Sequence, residues 1–353
     1  MNILFMSNAS GYGGSERTLE ILIKELSNTN NITVYAENEI HIKNLMDLNI
    51  KVIKSEKSKN IYKFFKQILC IKKQIAKADG VISNTNKAAF YLSLISIFLK
   101  RTEKDKFMIF VRDFQWKFCG FIFYMLKRSR FYVASPAVID YLAKYKTVPK
   151  IIPNPVAIPN VVHQYDDDLS SKVHSIVCPA MISRWKGIDF LIKAVAKLNK
   201  KCDLYIIGKK VDNDYFLYLE KEAAKIKNGS CVHFVEYTAE ISRFYTKADI
   251  IVNTSISKFG GPETFGRTIV EAWSFKKPVI AFSCGGPKFL IDNYKNGLLV
   301  EEENVDGLVD ALNILLEDKF LASRFGEDGY EKVKNEFSAD IIAKKILNEI
   351  RNI

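Results

Sequence analysis

A chain of 353 residues exceeds one ordinary core and points to two domains of similar size. With 48% hydrophobic and 26% charged residues it is neither disordered nor fibrous, and it has ample material for a buried core. The net charge of +12 is one-sided: residues 1–165 hold 25 Lys/Arg against 12 Asp/Glu, whereas the remainder holds 27 against 28. The first half alone therefore calls for an anionic partner, either nucleic acid, an acidic membrane surface or a phosphorylated substrate.

In chain order, "MNILFMS" (1–7) is too short and lacks the basic start of a targeting segment, so it reads as a first strand. "ITVYA" (32–36), "VISN" (81–84), "FMIFV" (107–111) and "FYVAS" (131–135) follow as buried strands, with helices predicted at 15–27, 60–78 and 88–99. Three prolines in "IIPNPVAIPN" (151–160) break regular structure, and the acidic "YDDD" (165–168) leads into the next strand as a solvated loop. The second half repeats the pattern with "SIVCPA" (175–180), "DLYIIG" (203–208), "VHFV" (232–235), "IIVNT" (250–254) and "PVIAF" (278–282). Strands spaced by helices imply two parallel sheets covered on both faces, that is, two doubly wound α/β domains. The last segment, 337–350, is an amphipathic helix opened by Ser338.

Two helical stretches mix lysine with apolar residues. "KNIYKFFKQILCIKKQIAKA" (59–78) and "AAFYLSLISIFLKR" (88–101) read either as interfacial membrane helices or as amphipathic helices packed on a sheet. Neither is long enough to span a bilayer. The six cysteines form no CxxC pair, which fits reduced thiols in a cytosolic protein. The four histidines are scattered, which argues against a metal site.

The stretch "GGPETFGRTIVEAWSFKKPVIAFSCGG" (260–286) carries the chemistry. Gly260 and Gly261 allow a sharp turn, and Gly266 starts a helix running through "RTIVEAWS". The amides of Thr264, Phe265, Gly266 and Arg267 then sit at the positive end of that helix, a site for phosphate or diphosphate. Glu271 lies a turn and a half inside the helix, where a carboxylate accepts from ribose hydroxyls, and Glu263 stands before it. An anionic linker with a ribose on one side and a further group on the other describes a nucleotide-sugar.

These residues resemble the Glu-x7-Glu signature of the retaining glycosyltransferases of family 4, which have the two-Rossmann GT-B fold with a catalytic crevice between the domains. The resemblance extends to "GGSERTLEILIKEL" (13–26), "ISRWKGIDFLIKAVAKL" (182–198), "VHFVEYTAEISRFYTKADIIVNTS" (232–255) and "CGGPKFLIDNYKNGLLVEEENVDGLVDALNILLED" (284–318). It implies an acceptor-binding domain over 1–160, a linker over 161–174, a nucleotide-sugar domain over 175–336, and a C-terminal helix (337–353) returning to the first domain. It also implies that Gly13 and Gly14 approach the donor phosphates and the acceptor. Lys186 would neutralise the diphosphate, Glu263 with the amides of Thr264, Phe265 and Gly266 would orient the donor sugar, and Glu271 would hold the ribose. The base would lie near Gly208, Glu236 and Tyr237.

No metal or other cofactor is expected from the resemblance. The expected partners are a nucleotide-sugar donor, a glycan or lipid-diphosphate-linked acceptor and an anionic membrane surface at the inner face of the cytoplasmic membrane, with nucleic acid excluded. Two positions depart from the pattern. Met181 stands where an arginine is common, with Arg184 as the substitute cation, and Arg112-Asp113 stands where His-Asp is common. Arg112 cannot act as a base, but it can hydrogen-bond a sugar or a phosphate. These departures leave a non-catalytic nucleotide-sugar-binding or partner subunit as the alternative.

Overall fold

A computed structural model describes residues 1–9, 11–55, 61–114, 117–145, 147–159, 173–238 and 240–352. The predicted linker lies outside them except for its last two residues, as does the acidic run 166–168. The chain divides into two units, Met1–Pro155 with Phe337–Ile353, and Val156–Glu336.

In the first unit seven parallel strands form one sheet: β1 (Asn2–Ser7), β2 (Asn31–Ala36), β3 (Lys51–Lys54), β4 (Gly80–Ser83), β5 (Phe107–Val111), β6 (Arg130–Val133) and β7 (Lys150–Ile151). Their order is β3-β2-β1-β4-β5-β6-β7, so the winding reverses between β1 and β4. The intervening helices are α1 (Gly14–Leu26), α2 (Glu39–Asp47), α3 (Ile61–Lys77), α4 (Asn86–Ile95), α5 (Arg101–Lys104), α6 (Cys119–Met125) and α7 (Ile139–Ala143). Side chains alternate across a strand. Leu4 and Met6 therefore pack in a core with α3, α4, α6 and α7, while Ile3 and Phe5 pack on the opposite face with α1 and α2. α1 forms because Leu19, Leu22, Ile23 and Leu26 recur at helical spacing on its buried side.

The second unit has six parallel strands: β8 (His174–Pro179), β9 (Cys202–Ile207), β10 (Cys231–Val235), β11 (Ile250–Asn253), β12 (Val279–Phe282) and β13 (Leu298–Val300). Their order, β10-β9-β8-β11-β12-β13, reverses between β8 and β11. One face is covered by α8 (Ile188–Lys197), α9 (Asn213–Ala223) and α13 (Val305–Glu317), in a core with Ile176, Cys178, Leu204, Ile206, Ile250 and Val252. Also in this unit are α10 (Ser242–Lys247), α11 (Arg267–Ser274), α12 (Pro287–Leu290) and α14 (Lys319–Lys332). A π-helical turn, Val333–Phe337, leads to α15 (Ala339–Arg351), which belongs to the first unit. There Ile342, Ala343, Ile346 and Ile350 join the core beside α1. Glu349 accepts from Tyr132 Oη at 2.7 Å and Lys150 Nζ at 2.9 Å, which ties the helix to β6 and β7.

The two lysine-bearing stretches are both helical. α4 turns Ala88, Ala89, Leu92 and Ile95 into the core, so most of its apolar run is packing. Only Ile97 and Phe98, in the turn that follows it, remain exposed. α3 likewise buries Ile68, Ile71 and Ile75. Among the described residues no helix is long and apolar enough to cross a membrane.

Candidate active site

In an open parallel sheet, ligands collect beyond the carboxyl ends of the strands where the winding reverses. In the second unit that place lies between the ends of β8 and β11. The loop after β8 carries Arg184 and Lys186, and the loop after β11 carries Ser255 and Glu263. The two loops are tied together: Thr254 Oγ1 donates to the Lys186 carbonyl at 3.0 Å, and the Ile256 amide donates to the Trp185 carbonyl at 2.8 Å.

This lacing brings Lys186 Nζ to 2.5 Å from Glu263 Oε2. Ser255 Oγ bridges them, 3.3 Å from Lys186 Nζ and 3.2 Å from Glu263 Oε2. Lys186 Nζ also sits 3.8 Å from the centre of the Trp185 ring. Both charged side chains are mostly buried, at 11% and 16% exposure, so water screens the pair weakly. An ammonium with three donors keeps capacity beyond these contacts.

The Glu263–Gly266 segment rests on the second glycine loop. The Gly286 amide donates to the Glu263 carbonyl at 2.7 Å. A Cβ on Gly285 would lie 2.3 Å from the Glu263 carbonyl oxygen, and one on Gly286 would lie 2.2 Å from that of Phe265, so only glycine permits this seat. Phe265 buries its ring, which leaves its backbone as its contribution to the site. Thr264 is half-buried. Gly266 caps α11 with φ 97°, and the helix begins at Arg267.

Glu271 follows on α11, held on both oxygens. Oε1 accepts from Arg267 Nε at 2.8 Å and Oε2 from Tyr245 Oη at 2.9 Å. A carboxylate has about four acceptor sites, so capacity for hydroxyl donors remains. Gly208 and Glu236 directly follow β9 and β10, and the Gly208 amide donates to the Val235 carbonyl at 3.0 Å. A Cβ on Gly208 would come within 2.2 Å of the Ala180 carbonyl oxygen, so the strand ends close only on glycine here. Glu236 and Tyr237 are exposed beside it.

The sequence-nominated residues of this unit thus share the carboxyl edge of one sheet. Arg184 stands apart from the Lys186 cluster in its contacts: it pairs with Asp212 at 3.5 Å and lies 5.6 Å from the Tyr215 ring centre. Met181 is exposed.

In the first unit Gly13 caps α1, its amide donating to the buried Glu16 carboxylate at 3.0 Å, with Gly14 opening the helix. Arg112 directly follows β5. It donates to Asn84 Oδ1 through Nε at 3.2 Å and Nη2 at 2.9 Å, and to Asn154 Oδ1 through Nη1. Asn84 in turn donates to the Ser15 carbonyl at 3.2 Å, linking the arginine to the start of α1. Burial pushes the guanidinium down to about 10 while the Glu16 carboxylate opposes the shift, so Arg112 stays cationic at neutral pH.

Several of these partners escape a reading of the sequence. The Arg267–Glu271 spacing of four within a helix was available as a signal, but Ser255, Tyr245, Asn84 and Asn154 carry none. Nor does Asn8, fully buried directly after β1, whose side-chain amide has no hydrogen-bond partner among the described residues.

Known proteins resemble the chain in sequence over its second half and in overall fold. Residues 168–332 match the family model for glycosyl transferases group 1. The lipopolysaccharide core biosynthesis glycosyltransferase LpsE of Rhizobium meliloti is 28% identical over 162 residues, 46% of this chain and 45% of that protein. The GDP-mannose-dependent alpha-(1-6)-phosphatidylinositol monomannoside mannosyltransferase of Mycobacterium tuberculosis is 28% identical over 233 residues, 64% of this chain and 59% of the relative. The chain thus spans about half the length of these curated relatives. The crystal structure of Anabaena Alr3699/HepE in complex with UDP superposes with a TM-score of 0.86 over 100% of both chains at 20% identity. The chain therefore has the GT-B fold of two Rossmann-like units, and its second unit matches glycosyl transferases group 1 over residues 168–332.

Proposed function

We propose that this protein is a retaining glycosyltransferase of family 4 that moves a sugar from a nucleotide-diphosphate-sugar to a glycan or lipid-linked glycan acceptor in surface polysaccharide synthesis. One observation carries the reading: a lysine, a serine and a glutamate converge where the winding of the sheet reverses, beside the start of α11. A structural ion pair has no need of that position, whereas a diphosphate leaving group does.

In this reading the diphosphate lies at the amino end of α11, and Lys186 neutralises the charge that develops as it departs. Glu263, oriented by Lys186 and Ser255, holds the donor sugar. Glu271 takes the ribose, and the base lies near Gly208, Glu236 and Tyr237. Gly13, Gly14 and Arg112 serve the donor phosphates or sugar and the acceptor from the first unit, with Arg184 as a further cation. The acceptor hydroxyl attacks from the face that the diphosphate leaves, and a leaving phosphate oxygen takes its proton. This scheme assigns no step to a metal or other cofactor. The basic first unit is assigned to the anionic acceptor and to an acidic membrane surface on the cytoplasmic side.

The test is a panel of UDP- and GDP-sugars, chosen because a neighbour was solved with UDP and a relative is GDP-mannose-dependent. Binding is read by thermal shift, turnover by release of nucleoside diphosphate, and stereochemistry by NMR of the product. A folded chain that binds a donor and releases no diphosphate with any acceptor would replace the catalytic reading with that of a binding subunit.

A further inference from the structure

The α6 segment and its flanks, "FCGFIFYML" (118–126), contain no charged residue, and a helix that is apolar all round is normally enclosed. This one is enclosed on one side only. Cys119, Ile122, Phe123 and Leu126 enter the core, while Phe118 (68% exposed), Phe121 and Tyr124 (70%) face outward. Phe118 reaches that position with φ 57°, a left-handed backbone that bulky side chains rarely adopt.

The exposed rings are not scattered. The Phe90 ring on α4 lies 5.3 Å from that of Phe118 and 6.2 Å from that of Phe121. Ile97 and Phe98, in the turn that follows α4, are exposed as well. Contiguous apolar surface of this kind marks an interaction site. Its rim is basic, with Lys117 before α6, Lys127 and Arg128 after it, and Lys100 and Arg101 after Phe98. Lys127 Nζ sits 5.5 Å from the Tyr124 ring centre. Residues 86–130 hold ten Lys/Arg against three Asp/Glu. Of those acids, Asp105 pairs with Arg128 at 3.1 Å, and Glu103 accepts from the Lys100 amide at 2.8 Å.

We infer that this face, Phe118, Phe121 and Tyr124, is the surface by which the protein docks on a bilayer rich in anionic lipid. Aromatic rings entering the acyl boundary with lysines at headgroup level satisfy both halves of the patch. A second copy of the chain would set one basic rim against another. The inference concerns only the membrane part of the proposed function. Vesicle binding and sugar transfer are measured separately, so either can fail without the other.

The experiment is sedimentation of the full chain with phosphatidylglycerol-containing vesicles, with phosphatidylcholine vesicles as the comparison, at low salt and at about 0.5 M salt. Binding to the anionic vesicles at low salt, weakened by salt, is expected. F118S/F121S/Y124S should lower the partition coefficient on the order of 100-fold, and K117A/K127A about fivefold per lysine removed. Far-UV circular dichroism checks folding, and Y124S alone tests the patch if the triple variant unfolds. The inference is overturned if wild type ignores anionic vesicles at low salt, or if the folded variants bind as wild type does. Sedimentation velocity showing a dimer that Y124S dissolves would overturn it in favour of a second copy.

Discussion

Replacing Lys186 with methionine removes the ammonium and keeps the length of the stem. Glu263 would then be a carboxylate at 16% exposure that accepts from Ser255 Oγ at 3.2 Å. Stranding one member of a fully buried pair costs about 3 to 5 kcal/mol, and the residual exposure here reduces that to roughly 1 to 3 kcal/mol. For a unit of this size the expected fall in Tm is about 5 °C. In catalysis the loss of one group aimed at developing charge amounts to about 3 to 4 kcal/mol, or roughly a hundred- to a thousand-fold in kcat.

The K186M/E263Q double variant separates the two effects. With both charges gone no carboxylate is stranded, so stability should return to near wild type while turnover stays low. The measurements are differential scanning calorimetry and steady-state release of nucleoside diphosphate. Turnover of K186M within threefold of wild type would refute the role of the lysine. A double variant no more stable than K186M would refute the coupling of the pair.

Glu271→Ala removes the acceptor for Arg267 and Tyr245, and we expect nucleotide affinity by calorimetric titration to fall at least about tenfold; unchanged affinity would place the ribose elsewhere. Gly329→Ala tests the packing of α14 on α11, because the new Cβ would lie 2.2 Å from Trp273 Cδ1. The ring is fully buried and its Nε1 donates to the Asn296 carbonyl, so overpacking should destabilise by about 1 to 3 kcal/mol in urea unfolding. Glu349→Gln tests how α15 is held. Burial pushes that carboxyl up, but hydrogen bonds from Lys150 and Tyr132 and the Lys150 and Arg130 charges outweigh it, so its pKa lies below the ordinary value. A depressed carboxylate contributes stability above its unfolded pKa and loses it as pH falls through the folded one. The wild-type advantage in Tm over E349Q should therefore be present at pH 7 and vanish at acid pH; a gap independent of pH would refute the ion-pair account.

The alternation of strand and helix was legible throughout because buried parallel strands read as apolar runs. "FMIFV" of β5 is buried at all five positions. The strands that escaped notice are β3, β7 and β13, each at an edge of its sheet. An edge strand has one neighbour and can be short, and β7 has only Lys150 and Ile151, both exposed.

Within the site, Glu263, Gly266 and Glu271 were readable together because they lie on one turn and one helix, whose geometry follows from local sequence. The approach of Lys186 to Glu263 across 77 positions was not a property of either segment. It arises because β8 and β11 are neighbours at the reversal of the sheet, and hydrogen bonds between their loops, from Thr254 Oγ1 and the Ile256 amide, set the distance. The same holds for Arg112, whose partners Asn84 and Asn154 come from loops 28 and 42 residues away.

The exposed aromatic face of α6 shows the division most clearly. Composition located the positive charge in the first half, but "FCGFIFYML" by itself reads as core. Only the packing of α4 and the sheet against one side of α6 leaves the rings of the other side in solvent. Local sequence determines which elements form and what chemistry each carries. Which of those chemistries meet, and which apolar faces stay uncovered, depends on strand order and layer packing, which are set by contacts distant in the chain.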